Sequence, residues 1–195
     1  MEKETAWANP SAAGIIGLCC AITPLVILKL GWVGPEGAPI LIGWLITGGL
    51  LQIVAGIIEA RRGGLLFSTP LLILGFTATI APAIGELVKI WIKGGAVPPT
   101  LSGVGFIVIA IWAIALFVAS GLVSKFLFFL MGILDLALWL LGLSMLGVLG
   151  QGSDMLGSYL LLVFLAGMIY VACALFLNEL FEKELLPIGK PVFTK

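Results

Sequence analysis

The sequence predicts an all-α membrane protein, a six-transmembrane-helix bundle with both termini cytoplasmic, and three observations predict it. First, 61% of the 195 residues are hydrophobic and 10% are charged, against about 25% charged in a soluble domain, and mean hydropathy is +1.24. So much apolar surface on so short a chain exceeds what its own polar groups can cover, so lipid must solvate the rest. Second, the apolar residues gather into six stretches, each near or above the roughly 20 residues that a spanning helix needs. Third, lysine and arginine favour one side. Lys3, Arg61, Arg62, Lys125, Lys183, Lys190 and Lys195 fall on the side of the termini, against Lys29, Lys89 and Lys93 on the other. The richer side is expected to be cytoplasmic.

Taken in order, the expected spans are Pro10–Leu30, Pro39–Ala60, Leu65–Ile92, Leu101–Val123, Lys125–Leu149 and Met155–Leu177, forming one domain over residues 1–195. The first run begins close behind Met1-Glu2-Lys3-Glu4 and is long enough to span, which argues against a cleaved leader with a short apolar core. Asn9-Pro10 opens this helix: Asn caps well and Pro suits the first helical position. The free N–H groups there also favour an anion, so Asn9 is a candidate for meeting a solute carboxylate, with ordinary capping as the plainer reading. Arg61-Arg62-Gly63-Gly64 and Ser124-Lys125 leave room only for tight hairpins, so neighbours in sequence are expected to be neighbours in space.

Glycines number 26, many inside the helices. In lipid, small residues let helix backbones approach closely. Gly48, Gln52 and Gly56 make one stripe on the second helix. Gly75, Thr79, Pro82 and Glu86 make another on the third, and Ala13, Gly17, Ala21 and Pro24 a further one on the first. Packing and the lining of a conduit are both open to these stripes, and Gln52 is the polar group that a conduit would use.

Asp135 is the most informative single residue. It stands mid-helix in Phe128-Phe129-Leu130-Met131-Gly132-Ile133-Leu134-Asp135-Leu136. A carboxylate at the bilayer centre costs about 2.5–3.5 kcal/mol on insertion scales, so it is expected to face the bundle interior or water. Two readings stay open: a neutral carboxyl hydrogen-bonded to a neighbouring helix, or an acid that lines a path or relays a proton. Glu86 and Lys89 read as an interfacial ion pair, Glu59 with Arg61-Arg62 as an orientation anchor, and Asn178 through Glu184 as a helix end leaving the membrane.

Several classes are disfavoured. The formal net charge is zero, so there is no basic field for nucleic acid. The chain has no histidine, which removes imidazole metal sites and the commonest general base. Cys19, Cys20 and Cys173 lie inside apolar runs without ligand spacing and read as small core residues. No phosphate loop and no nucleophile–base pair appears. The expectation is a protein that is not an enzyme and takes no cofactor.

Three segments together resemble the acetate uptake transporter family. Asn9-Pro10-Ser11-Ala12-Ala13-Gly14-Ile15 resembles its N-P-A-P-L-G-L signature, with Ser11, Ala12 and Ala13 in place of A-P-L. Gln52 through Glu59 resembles its A-G-x-x-E helix end. Leu177-Asn178-Glu179 through Leu186-Pro187-Ile188-Gly189 resembles its N-E-x-F…L-P-I-G close. The resemblance implies a six-helix protomer of the cell (plasma or inner) membrane that assembles into a homohexamer. It implies passage of acetate and related small monocarboxylates, with succinate in some members, as a channel or a proton-linked carrier. It also implies an apolar constriction of Phe, Tyr and Leu. By register these positions fall on Leu18, on Leu74 of Leu72-Ile73-Leu74-Gly75, and on Met131 of Phe126-Leu127-Phe128-Phe129-Leu130-Met131. The apolar ring is kept and both aromatics are lost. Asp135 is one turn beyond Met131, so if Met131 lines the path, Asp135 is expected beside it and is a candidate for coupling passage to pH. Two other readings stay open: the same fold passing a different neutral or cationic solute, and a scaffold or sensor that passes none.

Overall fold

The computed structural model describes residues 7–91 and 99–193. Lys3, Ile92, Lys93 and Lys195, used above for spans and orientation, lie outside the described residues. Six helical spans are long and apolar enough to cross a membrane. They are α1 (Ser11–Lys29), α2 (Ala38–Arg61), a third span made of α3 (Leu65–Leu74), a wider turn and α4 (Ala81–Trp91), then α5 (Pro99–Ser120), α6 (Lys125–Met145) and α7 (Gln151–Leu180). Neighbouring contacts run α3–α2–α1–α7–α6–α5, and α3 also touches α5, so the spans form a ring around a common axis.

Local chemistry explains most of the boundaries. The α2–α3 turn closes through Gly63, whose φ of 77° is in the left-handed region where a side chain is strained. The next N–H, of Gly64, donates to the Glu59 carbonyl at 2.9 Å. At the α5–α6 turn the Ser124 hydroxyl accepts from the Leu127 N–H at 3.0 Å and caps α6. Helix α6 stops at Met145 rather than the expected Leu149, because Gly147 at φ 75° turns the chain. Helix α7 starts at Gln151 rather than Met155. Its first turn is polar, so apolarity alone missed it, yet an acid there suits the helix dipole, and Asp154 bonds Lys29 across to α1 at 2.7 Å.

The third span departs most from expectation. In place of the single helix expected, Gly75–Ile80 form a π-helical segment. Pro82, which lacks an N–H and crowds the carbonyl one turn earlier, lies just beyond this segment. Thr77 donates to the Ile73 carbonyl at 2.7 Å and Thr79 donates to that of Gly75.

Small residues sit where backbones cross. A Cβ on Gly17 would stand 2.8 Å from the Gly48 carbonyl, so α1 and α2 meet backbone to backbone. Gly56 faces Leu72, and Gly75 faces Ile53 and Gln52. For these glycines the packing reading of the stripes is the one observed. The outward faces are oily: Val104, Val108, Ile111, Ile114 and Val118 make an exposed stripe along α5 that needs lipid or protein against it. Trp32 and Trp91 are exposed near the ends of their spans, where an indole suits the membrane interface.

Beyond α7 the chain folds back as a strap. Asn178 Oδ1 accepts from Leu185 and Leu186 N–H at 2.7 and 2.9 Å, and its Nδ2 donates to the Leu186 carbonyl at 2.9 Å. The Tyr170 hydroxyl donates to the Pro187 carbonyl at 2.9 Å. The carbonyls of Lys190 and Ile188 then accept from the first two N–H groups of α6, at 2.9 and 3.3 Å. Val192 N–H donates to the Gly121 carbonyl at 2.7 Å, and Phe193 packs edge-on against Phe128.

Candidate functional site

A cavity of about 40 Å³ lies where all six spans converge. Its wall is Ile15 and Leu18 of α1, Gln52 of α2, Leu66, Phe67, Pro70, Leu71 and Leu74 of α3, Leu116 and Ser120 of α5, Leu127, Met131 and Leu134 of α6, and Phe164 and Met168 of α7. Leu18, Leu74 and Met131, far apart in sequence, therefore meet around one space. At about 10–15 Å³ per water, the cavity has room for a few waters and none for an ion carrying its shell.

Two polar residues border the cavity, and almost all the surface exposed to it is apolar. Gln52 is fully buried, and its Nε2 donates to the Gly48 carbonyl at 3.3 Å. Among the described residues its Oε1 has no hydrogen-bond partner. Ser120 is also fully buried and donates to the Phe117 carbonyl at 2.7 Å. Ser120, Phe164 and Met168 were not singled out in the sequence. The two α7 residues carry no signal on so uniformly oily a helix, whereas a lone serine at the end of an apolar span could have been flagged.

Asp135 does not join this wall, which corrects the expectation that it shares a lining with Met131. Four residues advance a helix by about 40° beyond a full turn. The lining of α6 is centred between Leu127, Met131 and Leu134, so that rotation carries Asp135 out of it. It falls instead on the stripe of Gly132 and Gly142, which face Phe117, Ile107 and Phe106 of α5. There it is half-buried, with its Oδ1 unpartnered among the described residues and Trp139 one turn away. Every described residue of α5 between Phe106 and Phe117 is uncharged.

Asn9 is outside the cavity too. Its Oδ1 accepts from the Ser11 N–H at 3.0 Å, the ordering of a helix start. The Ser11 hydroxyl in turn donates to buried Glu59 Oε1 at 2.9 Å, and Arg62 reaches the same oxygen at 3.1 Å. The first and second motifs of the sequence are thus joined at one end of the bundle. Arg61 lies over the ring of Trp7 at 5.6 Å. The Glu86–Lys89 pair closes at 2.5 Å on the third span. Among the described residues no cluster of His, Cys, Asp and Glu is placed to hold a metal.

No protein-family model matches the chain, and no curated protein matches it. Among solved structures it is similar to the bacterial acetate channel SatP, with a TM-score of 0.82 and 23% identity over 94% of this chain and 99% of that one. The shared fold agrees with the resemblance to the acetate uptake family that the three sequence motifs carry.

Proposed function

We propose that the chain passes acetate and related small monocarboxylates across the cell membrane, through the apolar constriction of Leu18, Leu74 and Met131. The observation that carries this reading is the meeting of those three side chains, predicted from motif register, around one cavity at the convergence of all six spans. The fold shared with an acetate channel supports it. Succinate, twice charged and longer, is the outer limit of this cargo range, and the homohexamer, with both termini cytoplasmic, is the assembly in which we expect it to work. The chemistry asked of the protein is selection and desolvation, with no bond made or broken.

Passage takes place by shedding water. A small acid arriving at the neck exchanges its hydration for the apolar wall. Leucines at positions 18 and 74 in place of aromatics leave the wall without a hydroxyl there. Asn9 serves by ordering the start of α1, from which Leu18 projects. Asp135 lies on the α5–α6 seam and influences the neck only through the seating of α6.

The test is labelled acetate uptake into proteoliposomes, with and without an inward proton gradient. Saturable uptake above protein-free vesicles, blocked by other short acids, is expected. Silence in vesicles with verified insertion would overturn the reading and favour a different small solute. Acceleration by the gradient would make the passage proton-linked.

A further inference from the structure

We infer that the end of the axis opposite the termini is a gate of its own, an aliphatic plug latched by the Lys29–Asp154 ion pair, and that Lys29 trades Asp154 for the carboxylate of an entering solute. The inference rests on the acetate reading above and adds the point of entry to it.

The lining faces continue past the cavity. On α6 the lining runs Leu127, Met131, Leu134, and the same alternation of four and three residues carries it on to Leu138 and Leu141. On α1 the residues beyond Ile15 and Leu18 on that face are Ile22 and Val26. On α2, which runs the other way, the face of Gln52 leads to Leu45 and Leu41. Those six side chains beyond the cavity are buried, none more than 6% exposed. Five of them share one apolar core with Leu18 and Met131. The sixth, Leu141, closes on α7, where a Cβ on Gly157 would stand 2.9 Å from it. The axis is filled by aliphatic side chains at this end, so a solute crosses it only when the spans part.

The same faces end in opposite charges. Three residues past Val26 the α1 face reaches Lys29. On α7 the face of Met168 and Phe164 leads back through Leu161 and Gly157 to Asp154, in steps of four and three. Lys29 Nζ and Asp154 Oδ1 stand 2.7 Å apart, so the pair ties the last turn of α1 to the first turn of α7 at the outer limit of the plug. Trp32 and Tyr159, with ring centroids 6.4 Å apart, make a second contact between the same helix ends. The other described charges at this end are Glu36 on the turn after α1 and the Glu86–Lys89 pair, closed within its own helix. Lys29 is the cation that a lining face carries.

Exchange at Lys29 replaces like with like. The aspartate side chain ends as acetate does, in a carboxylate on one carbon, and accepts through the same two oxygens. The pair is partly open to water, with side chains 26% and 30% exposed, so it holds weakly and a solute reaches it. Two ways of breaking it then differ. Removing the Asp154 charge loosens the plug and frees the ammonium for the solute. Removing the Lys29 charge loosens the plug as much, but leaves an unpaired carboxylate at the mouth that repels an anion.

The experiment has two arms. In proteoliposomes, acetate uptake is compared for wild type, Asp154→Asn, Lys29→Met and Lys29→Arg. Asp154→Asn should raise uptake about twofold to fivefold, the range open to a partly exposed pair. Lys29→Met should lower it about fivefold, and Lys29→Arg, which keeps the charge, should stay within about twofold of wild type. The second arm reads the plug without acetate. Leu141→Cys in micelles is treated with an anionic methanethiosulfonate, and the reactivity of the three native cysteines is subtracted using the parent chain. Its thiol should react about twofold to fivefold faster when Asp154→Asn is added. Equal effects of Asp154→Asn and Lys29→Met on uptake, or an unchanged thiol rate, would overturn the inference and leave wild-type acetate uptake standing. A faster thiol in chains that carry no acetate would uphold the latch and overturn the acetate reading. Should Leu141→Cys fail to insert, the opposite signs of the two charge removals decide alone.

Discussion

Removing the Glu59 carboxylate tests whether the first two sequence motifs are one structural unit. Glu59 is 5% exposed and Ser11 is 1% exposed, and the hydroxyl donates to the carboxylate at 2.9 Å. A hydrogen bond to a charged group contributes about 1.5–3 kcal/mol. The Arg62 contact is partly open to solvent and adds at most about 1 kcal/mol. Glu59→Ala should therefore destabilise by about 2–4 kcal/mol. Ser11→Ala should cost less, about 1–2 kcal/mol, since Arg62 still satisfies the carboxylate. Once Glu59 is gone the Ser11 hydroxyl has lost its partner, so adding Ser11→Ala should cost almost nothing more. The double-mutant cycle then gives a coupling of about 1–2 kcal/mol. Equilibrium unfolding in mixed micelles, with wild type, both single variants and the double, measures it. Additivity within about 0.5 kcal/mol would refute the reasoning, because it would mean the two residues do not support one another in the folded protein.

Three other outcomes follow from the structure. Met131→Ala should destabilise the bundle by about 2–5 kcal/mol and raise the uptake of longer monocarboxylates relative to acetate; an unchanged ratio would remove Met131 from the neck. Asp135→Asn should leave acetate flux and its pH profile within about twofold, a factor worth less than 0.5 kcal/mol, because the residue faces α5; a flattened profile would return Asp135 to the coupling role its sequence position suggested. Asn178→Ala removes three hydrogen bonds to the strap, together about 2–3 kcal/mol, and should speed tryptic cleavage at Lys183, whereas unchanged cleavage would show that other contacts hold the strap.

How far the sequence could be read depended on what each feature costs in lipid. Spans are legible because a polar stretch within the hydrocarbon is prohibitive, so six apolar runs stand out against short polar turns. Their ends are less so: Gln151 through Asp154 are polar yet helical, since at the interface water no longer enforces the distinction. The π-helical turn was invisible because it is a matter of backbone hydrogen-bond register, which no apolar count records. The cavity was half legible. Register against motifs brought Leu18, Leu74 and Met131 together, and a polar residue in an oily stripe drew attention to Gln52. Asp135 drew attention for the same reason, but a rotation of tens of degrees separates lining a space from facing a neighbouring helix, and spacing alone could not resolve it. Phe164 and Met168 look like every other residue of α7.

The strap that supplies carbonyls to the start of α6 sets an order of events in biogenesis. Lys125 and Phe126 emerge long before Ile188 and Lys190, with which they hydrogen-bond. At synthesis rates of about 5–20 residues per second, the fourth and fifth spans wait several seconds with that hairpin unfinished. During this interval the Ser124 hydroxyl is the cap that α6 supplies locally. The last helix must insert, and the chain behind it must turn back, before the hairpin acquires its remaining partners. Completion of the bundle is thus reported at a turn laid down far earlier, and a chain interrupted after α7 would leave that turn open to whatever surveys unfinished membrane proteins.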